Sequence, residues 1–352
     1  MRRAIGVRAL FAGVLTLTLT LCAAAQDSGI PTLHVYTNLL QIPTLVLSEQ
    51  HKPLRPIPEN RFFVSIDDGK PFRVTHARLE GNDPIALSIL VDSDHLAGAS
   101  RGRLEDAIAG LVPASIHPND QVSLYRLNCR LSRAVAEQPT SMESLQVVAA
   151  LLFGSMDRRD KSRGEGNCPK RWNLFDAIES AVDSFEPAVG RRVLLVMTDG
   201  VDRGSRSTWQ DVRSLAQVKG VAIFAIEPQP ETVIPIRGPR GMLGQETVRA
   251  VTEMPALCES TGGMLLDTKQ DSVAEQLRYL LTLVRNRYII EFPRPNADAG
   301  AHNMTISVPK LAAFIRPAGI SVELPDPDLA KDPNTFLPDP ASAPEVGNKR
   351  PK

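Results

Sequence analysis

The sequence lacks a net charge, because its 40 Lys and Arg residues balance 40 Asp and Glu residues. A nucleic-acid-binding protein is expected to carry a basic excess, so this class of function is disfavoured. Four cysteines among 352 residues are too few for a scaffold built on disulfides. Beyond the amino terminus no apolar run reaches about 18 residues, the minimum for a membrane-spanning helix, which excludes a multi-span membrane protein.

The two ends of the chain differ in composition from the rest. Three arginines among the first eight residues precede an uncharged, mostly apolar stretch that ends in the small residues Ala23–Ala25. This pattern predicts a secretory signal over residues 1–25 and hence an exported, periplasmic or extracellular protein; an uncleaved membrane anchor is the alternative. At the other end, residues 325–352 hold seven prolines and no apolar period, which predicts an extended, mobile tail.

Residues 84–285 alternate strand patterns with helical patterns. Ile85–Val91, Val193–Met197 and Val221–Ile226 are continuous apolar runs, and Val122–Leu127 is strand-like. The helical patterns share amphipathic spacing and comprise the region around Leu104, Ile108 and Leu111, then Met142–Phe153, Leu174–Phe185, Trp209–Val218 and Val273–Val284. Buried strands that alternate with helices predict an α/β fold with a doubly wound, mostly parallel sheet.

Two acidic residues stand where ligands bind in such a sheet. Asp92 directly follows the first apolar run, and Asp199 follows the strand that ends at Met197. Ligands of open parallel sheets bind outside the carboxyl ends of the strands. Asp92 and Asp199 are therefore the first candidates for a functional site.

The segments on either side of this region have short β patterns. They are Leu33–Leu40, Thr44–Ser48, Phe62–Ile66 and Phe72–Leu79 before it, and Tyr288–Phe292, Met304–Val308 and Gly319–Glu323 after it. Each flank alone has few strands for independent stability. The sequence therefore predicts one small β-sandwich built from residues 26–83 and 286–324, with an α/β domain of residues 84–285 inserted between its halves.

Several of these elements resemble a known family. The strand that ends in Asp92 is similar to the first strand of a von Willebrand factor type A (VWFA) domain, and the chain resembles the VWFA-related proteins first grouped in Acidobacteria. The other segments that carry the resemblance are Ile66–Lys70, Asn173–Ile178, Leu194–Gly200, Cys258–Gly263 and Arg287–Ile290. The resemblance covers residues 33–324 and implies a Rossmann-like sheet, in agreement with the strand pattern.

The resemblance also implies a metal-ion-dependent adhesion site (MIDAS) at the top of the sheet. In the family pattern, Asp-x-Ser-x-Ser after the first strand, a Thr from a second loop and an Asp after a later strand hold Mg²⁺, and a partner's carboxylate completes its shell. Here Asp92 and Asp199 match the two aspartates. Asp94 stands at the first serine, Leu96 at the second serine and Trp172 at the threonine. The site is therefore partly degenerate.

The carboxylates of Asp92, Asp94 and Asp199 would repel one another without a compensating charge, and Asp202 adds a fourth. Either a divalent cation such as Mg²⁺ or a salt bridge from a nearby arginine would relieve this repulsion. Asp92, Asp94 and Asp199 are thus the metal ligands that the resemblance implies. Hydrogen-bonded loop carboxylates without a metal are the alternative.

Removal of the signal leaves three cysteines in an exported chain, where disulfides are stable. Cys129 follows a predicted strand and Cys168 precedes the helix at Leu174, so both are expected near the top of the sheet. We predict a disulfide between them, which would clamp the basic loop Arg158–Gly166 over this face. Cys258 is expected to be a buried small hydrophobic residue, and Arg237–Gly241 is interpreted as a loop insertion.

These observations favour an exported, non-enzymatic protein-binding protein of the adhesion or assembly type, with an optional divalent cation and an unidentified protein partner. A metal-independent structural scaffold of the cell envelope, whose contacts the β-sandwich makes, is the first alternative. The second is a Mg²⁺-dependent phosphohydrolase of the haloacid dehalogenase type, because Asp92–Asp94 after an apolar strand resembles its nucleophile motif. Against this enzyme, no lysine-bearing third motif is evident in the sequence.

The Cys129–Cys168 disulfide can be tested on the unreduced protein. Proteolysis should release two peptides joined through these residues, and reduction should separate them, because a disulfide is the only bond between them. Mass spectrometry of the digest before and after reduction checks this outcome. Three free thiols in the unreduced mature chain would contradict it.

Overall fold

The computed structural model describes residues 34–35, 39–93, 98–112, 114–136, 141–153, 172–185, 191–228, 233–237, 243–247, 252–268, 273–295, 300–318, 320–322, 335–336, 344 and 346–347. The chain forms two compact units, Met1–Asn38 with Pro325–Asp339, and Leu39–Leu324 with Pro340–Lys352. In the first unit, strands β1 (His34–Val35) and β19 (Thr335–Phe336) pair in parallel. All other elements belong to the second unit.

The described strands of the second unit are β2 (Leu39–Leu47), β3 (Phe63–Ile66), β4 (Phe72–Arg73), β5 (His76–Leu79), β6 (Ile85–Asp92), β7 (Gln121–Leu127), β8 (Leu131–Ala136), β9 (Arg191–Met197), β10 (Val221–Pro228), β11 (Val233–Arg237), β12 (Leu243–Thr247), β13 (Leu265–Thr268), β14 (Tyr288–Pro293), β15 (Gly300–His302), β16 (Met304–Ser307), β17 (Phe314–Pro317) and β18 (Ile320–Val322). The helices are α1 (Gly98–Ala109), α2 (Met142–Phe153), α3 (Leu174–Asp183), α4 (Trp209–Val218), α5 (Met254–Ser260) and α6 (Val273–Arg285). Within the described residues, none of these helices combines the length and the apolar character that a membrane crossing requires.

A six-stranded sheet forms the centre of this unit. Its strand order is β13-β10-β9-β6-β7-β8, and all neighbours run parallel except the antiparallel edge strand β8. The first strand of the region, β6, lies in the middle and the chain winds outward in both directions, which is the doubly wound arrangement. The predicted α/β fold class is therefore confirmed.

The central strands are apolar throughout because helices cover both faces of the sheet. In β6, Leu87 and Ile89 pack with α1, α2 and α6 on one face. Ala86 and Leu90 of the same strand pack with α3, α4 and α5 on the other face. The continuous apolar runs in the sequence thus correspond to strands that are buried on both sides.

The flanks form the predicted β-sandwich. One antiparallel sheet has the order β17-β2-β14-β5 and the other has the order β16-β3-β4, so each sheet takes strands from both flanks. Their shared core contains Phe62, Val64 and Ile66 from the amino-terminal flank and Tyr288 and Phe292 from the carboxy-terminal flank. The α/β region is inserted between β5 and β14, which themselves pair in antiparallel fashion.

Some local details differ from the sequence prediction. One continuous strand, β2, replaces part of the first predicted strand and all of the second except Ser48, and it runs through Pro43. Pro43 lacks an amide hydrogen, but its carbonyl still accepts a hydrogen bond from the amide of Ala318 at 3.0 Å. Arg237, which was interpreted as part of a loop, ends β11 of a β11–β12 hairpin, and residues 238–242 lie outside the described residues.

The carboxy-terminal segment contacts the sandwich at two described residues. Val346 packs against the sandwich core. The amide of Gly347 donates a hydrogen bond to the carbonyl of Ile66 at 3.1 Å. A β-carbon at position 347 would lie 2.2 Å from the carbonyl oxygen of Asp67, so this contact requires glycine. The segment is anchored here, where the sequence predicts only a mobile tail.

A buried ion pair joins the two points at which the chain passes between the sandwich and the α/β region. Glu80 follows β5 and Arg287 precedes β14, and their side chains are 0% and 1% exposed. Arg287 Nε donates to Glu80 Oε2 at 2.8 Å and Nη2 donates to Oε1 at 2.9 Å. The amide of Glu80 also donates to the carbonyl of Arg287 at 2.7 Å, so the two crossings are fixed side by side.

Neutralising one partner of this pair should destabilise the fold strongly. Glu80→Gln leaves the guanidinium of Arg287 buried without a compensating charge, and we expect the free energy of unfolding to fall by about 3–5 kcal/mol. Urea denaturation checks this value. Asp83→Asn, which removes the partly exposed Arg78–Asp83 pair at 2.7 Å, is the control and should cost no more than about 1 kcal/mol. Equal losses in the two variants would contradict the prediction.

Candidate functional site

The carboxyl ends of β6, β9 and β10 place three acidic residues at one edge of the sheet, which we call the top edge. Asp92 ends β6, Asp199 follows β9, and Glu227 lies near the end of β10. Asp92 and Glu227 are buried, with 2% and 4% of their surface exposed. Two of the three were predicted from the sequence. Glu227 was missed, although it follows an apolar strand as Asp92 does.

Asp92 is held from the neighbouring strand. The hydroxyl of Thr198 donates to Asp92 Oδ2 at 3.3 Å, and the amide of Gly200 in turn donates to the Thr198 hydroxyl at 3.1 Å. The third predicted ligand, Asp94, lies outside the described residues, as does Leu96. The structure therefore brings Asp92 and Asp199 together but does not describe their relation to Asp94.

Asp199 is compensated by an arginine of its own loop. Arg203 Nη2 donates to Asp199 Oδ2 at 2.6 Å, and Nη1 donates to Oδ1 at 3.2 Å. Nη1 also donates to the carbonyl of Val201 at 2.9 Å, which fixes the plane of the guanidinium. The hydrogen bond to Asp199 raises the pKa of Arg203; burial opposes this shift, and the charges of Asp199, Asp92 and Asp202 reinforce it. The top edge thus contains its own permanent cation.

The described residues of the top edge do not fit the divalent cation that the sequence resemblance implies. Mg²⁺ requires several oxygen ligands at about 2.1 Å in near-octahedral array, whereas both carboxylate oxygens of Asp199 accept from Arg203. Trp172, at the position of the family's threonine, has no side-chain oxygen. Among the described residues, no group of three metal-ligating side chains converges.

The loop of residues 199–208 closes the amino terminus of helix α3. The first free amides of a helix need acceptors, but Asn173, which precedes α3, makes no side-chain capping bond. Instead the hydroxyl of Ser205 accepts from the amides of Phe175 and Asp176 at 3.0 and 3.2 Å. Asn173 Nδ2 donates across to the carbonyl of Gly204 at 2.8 Å. A helix cap is thus supplied by a loop about thirty positions away.

Asp202 organises this cap. Its carboxylate accepts from the hydroxyl and the amide of Ser205 at 2.6 and 2.9 Å, from the amide of Gly204 at 3.1 Å and from the amide of Phe175 at 3.4 Å. Burial by itself would raise the pKa of Asp202, but these hydrogen bonds outweigh it and lower the pKa. Asp202, which the sequence presents as a fourth carboxylate at this edge, therefore acts as a structural anchor.

Further contacts continue along α3. Asp176 Oδ1 accepts from the amides of Arg206 and Ser207 at 2.9 and 3.1 Å, and the hydroxyl of Ser207 donates to Glu179. The loop is therefore held along its length by the first turns of α3. Because two of these contacts are made by backbone amides, the loop conformation itself is fixed.

Gly200 is required by its backbone conformation, and it lies against the side chain of Glu227. Its φ of +77° lies in the left-handed region, and a β-carbon there would lie 2.2 Å from Glu227 Oε1. Thr252 donates to the same Glu227 oxygen at 3.1 Å. The Thr198-Asp199-Gly200 sequence thus ends in glycine because the backbone is left-handed at this position.

Aromatic and basic side chains are exposed around this loop. Trp172, two residues before the start of α3, is 38% exposed. Its neighbour Asn173 is hydrogen-bonded to the carbonyl of Gly204. Two exposed arginines, Arg203 and Arg206, lie on either side of Gly204 in the sequence. We call Trp172, Arg203 and Arg206 the top-edge surface.

The cysteines agree in part with the prediction. Cys129, in the turn between β7 and β8, is disulfide-bonded. Cys258 is free and fully buried, as predicted, and burial raises the pKa of its thiol far above the usual range. Cys168, the predicted partner of Cys129, and the basic loop Arg158–Gly166 lie outside the described residues, so this pairing stays a prediction.

The chain matches no protein-family model and no curated protein sequence. Among solved structures, BatB from Bacteroides thetaiotaomicron is 15% identical over 56% of this chain and 98% of that one, with a TM-score of 0.38. Proximal thread matrix protein 1 from the mussel byssus, whose MIDAS motif holds zinc, is 14% identical over 59% of this chain and 50% of that one, with a TM-score of 0.40. The pilus adhesin SpaC from Lactobacillus rhamnosus GG is 10% identical over 76% of this chain and 48% of that one, with a TM-score of 0.39.

These likenesses are weak, and the zinc site is a property of the mussel protein. The VWFA-like fold therefore stands on the observed sheet, with its central first strand and its antiparallel edge strand β8. The narrower resemblance to the proteins first grouped in Acidobacteria stays a prediction.

Removal of the Asp202 charge should loosen the cap of α3 in a pH-dependent way. Asp202→Asn should lower the free energy of unfolding at pH 7 by about 1–2 kcal/mol, the usual cost of a lost cap. A lowered folded-state pKa means that the carboxylate stabilises the fold above the unfolded-state pKa of about 3.9, and that this stabilisation is lost as the pH falls through the folded-state pKa. Urea denaturation at pH 7, 5 and 3 should show the difference from wild type shrinking below pH 5. Asp183→Asn, at an exposed ion pair, is the control; a pH-independent loss in Asp202→Asn would contradict the prediction.

Proposed function

We propose that the chain is an exported, non-enzymatic protein-binding protein that contacts its partner through the top-edge surface and needs no metal ion for that contact. The observation that carries this proposal is the exposed Trp172 beside a loop that the chain's own hydrogen bonds hold in place. Export is supported by the secretory pattern of residues 1–25.

The composition of the top-edge surface supports protein binding. Tryptophan and arginine are enriched among the few residues that contribute most of the affinity at protein interfaces. Trp172 and the exposed Arg203 and Arg206 have these side-chain types. Because the bonds to α3 already order the loop, partner binding would cost little conformational entropy.

The contacts of the acidic residues disfavour the phosphohydrolase alternative. Asp92 would have to attack phosphorus as a nucleophile, yet only 2% of its surface is exposed and its Oδ2 accepts from Thr198. Asp199, the other candidate carboxylate at this edge, has both oxygens paired to Arg203. Phosphatase turnover that disappears in Asp92→Ala would overturn the non-enzymatic proposal.

Truncation of the exposed tryptophan should weaken partner binding. A partner is first captured with the wild-type protein from the native envelope fraction and identified by mass spectrometry, and its affinity is then measured for each variant. We expect Trp172→Ala to weaken binding about thirtyfold or more, as for a central interface residue of about 2 kcal/mol, and we expect EDTA to leave wild-type binding unchanged.

The matched control is an exposed apolar residue on another surface. Leu151 of α2 is 74% exposed, so Leu151→Ser changes surface hydrophobicity without altering the top edge. It should bind as wild type does. If Leu151→Ser loses the partner and Trp172→Ala keeps it, the contact lies on the α2 side and the proposed surface is wrong. Loss of binding in EDTA would overturn the metal-independent part of the proposal.

A further inference from the structure

The turn between β3 and β4 offers a backbone acceptor at the surface of the sandwich. Asp67 and Asp68 both have left-handed backbones, with φ of +49° and +56°, which residues other than glycine seldom adopt. The amide of Gly69 closes the turn by donating to the carbonyl of Ile66 at 2.8 Å. A carbonyl oxygen has two lone pairs, so the Ile66 oxygen can accept a second hydrogen bond.

The segment that leads into β16 holds this turn in shape. The amide of Asp67 donates to the carbonyl of Asn303 at 2.8 Å, and the amide of Asn303 donates to Asp67 Oδ1 at 2.9 Å. His302 Nδ1 lies 2.7 Å from Asp67 Oδ2, and the two side chains are 13% and 19% exposed. None of these bonds involves the carboxy-terminal segment, so the turn has its own support and is preorganised for a ligand.

Two residues of the carboxy-terminal segment contact this turn as a bound peptide would. The amide of Gly347 is the second donor to the Ile66 carbonyl, at 3.1 Å. The backbones approach so closely that a β-carbon at position 347 would lie 2.2 Å from the carbonyl oxygen of Asp67 and 2.7 Å from the amide nitrogen of Gly69. Val346 packs against the sandwich core. The contact therefore selects an apolar residue followed by glycine.

The small number of these contacts makes the bound segment displaceable. One backbone hydrogen bond and one partly exposed valine offset little of the motional freedom that association removes. A free peptide with only these contacts would bind weakly, but a segment of the same chain is present at a far higher local concentration. The carboxy-terminal segment thus fills the site without a high intrinsic affinity, and a ligand that makes additional contacts can replace it.

We propose that the β3–β4 turn and the adjoining surface of the sandwich core form an acceptor site for a protein segment in which an apolar residue precedes glycine, and that Val346–Gly347 fills this site as a tethered, displaceable ligand. The inference concerns the sandwich and makes no use of the top-edge surface. It and the proposed function therefore succeed or fail separately.

The test follows the backbone amides of the turn by NMR in the isotope-labelled full mature chain, at rising concentrations of a synthetic peptide of residues 340–352. In Gly347→Val the added side chain cannot fit against Asp67, so the chain's own segment leaves the site. The peptide should then bind and shift the signals of Asp67, Asp68 and Gly69. Wild type should need about tenfold more peptide, or more, for the same shifts, because its site is already filled in most molecules.

Two further variants and a changed peptide assign the effect to this site. Val346→Asp removes the apolar contact and should take up the peptide as Gly347→Val does, whereas Val346→Ile keeps that contact and should behave as wild type does. A peptide that carries the Gly347→Val change should shift no signal of the turn in any variant. The proposal is overturned if the unchanged peptide binds Gly347→Val no more tightly than wild type, or if it fails to bind Gly347→Val and Val346→Asp while circular dichroism shows both variants to be folded.

Discussion

The Glu80–Arg287 ion pair sets the geometry on which the rest of the structure depends. It lies where the chain leaves the sandwich and where it returns, and both side chains are almost fully buried. A carboxylate and a guanidinium at this depth are tolerated only as a closely bonded pair, since each loses its hydration. The pair therefore requires the two crossings to stay adjacent. That adjacency aligns β5 with β14 and attaches the central sheet to the sandwich at one defined place.

At the opposite end of the sheet, charges are again satisfied inside the chain. Arg203 balances Asp199, and Asp202 with Ser205 supplies acceptors to the first amides of α3. Oxygen atoms that could have coordinated an ion are committed to this network. The result is a rigid surface whose order does not depend on a bound ligand, a suitable basis for recognition by shape and by exposed side chains.

The sequence predicted the central sheet well and the top edge only in part. Val193–Met197 could be recognised as a strand because helices bury it on both faces, which leaves an unbroken apolar run. Strand β8 was missed because an edge strand with Ser132 and Arg133 exposed has no such run. A salt bridge from an arginine was foreseen as one way to relieve the repulsion of the aspartates. That this arginine is Arg203, and that Asp202 caps α3, depends on loop conformation, which no periodic pattern encodes.

The insertion between β5 and β14 has a consequence for the order of folding. Leu79 pairs with Tyr288, so the sandwich contains a hairpin whose connecting loop is the whole of residues 80–287. An unfolded loop of this length makes closure slow and entropically costly. Once the α/β region has folded, its two ends already lie side by side, and that cost is gone. We therefore expect the inserted region to fold first and to template the sandwich, so that the strands of the sandwich form only after the central sheet has done so.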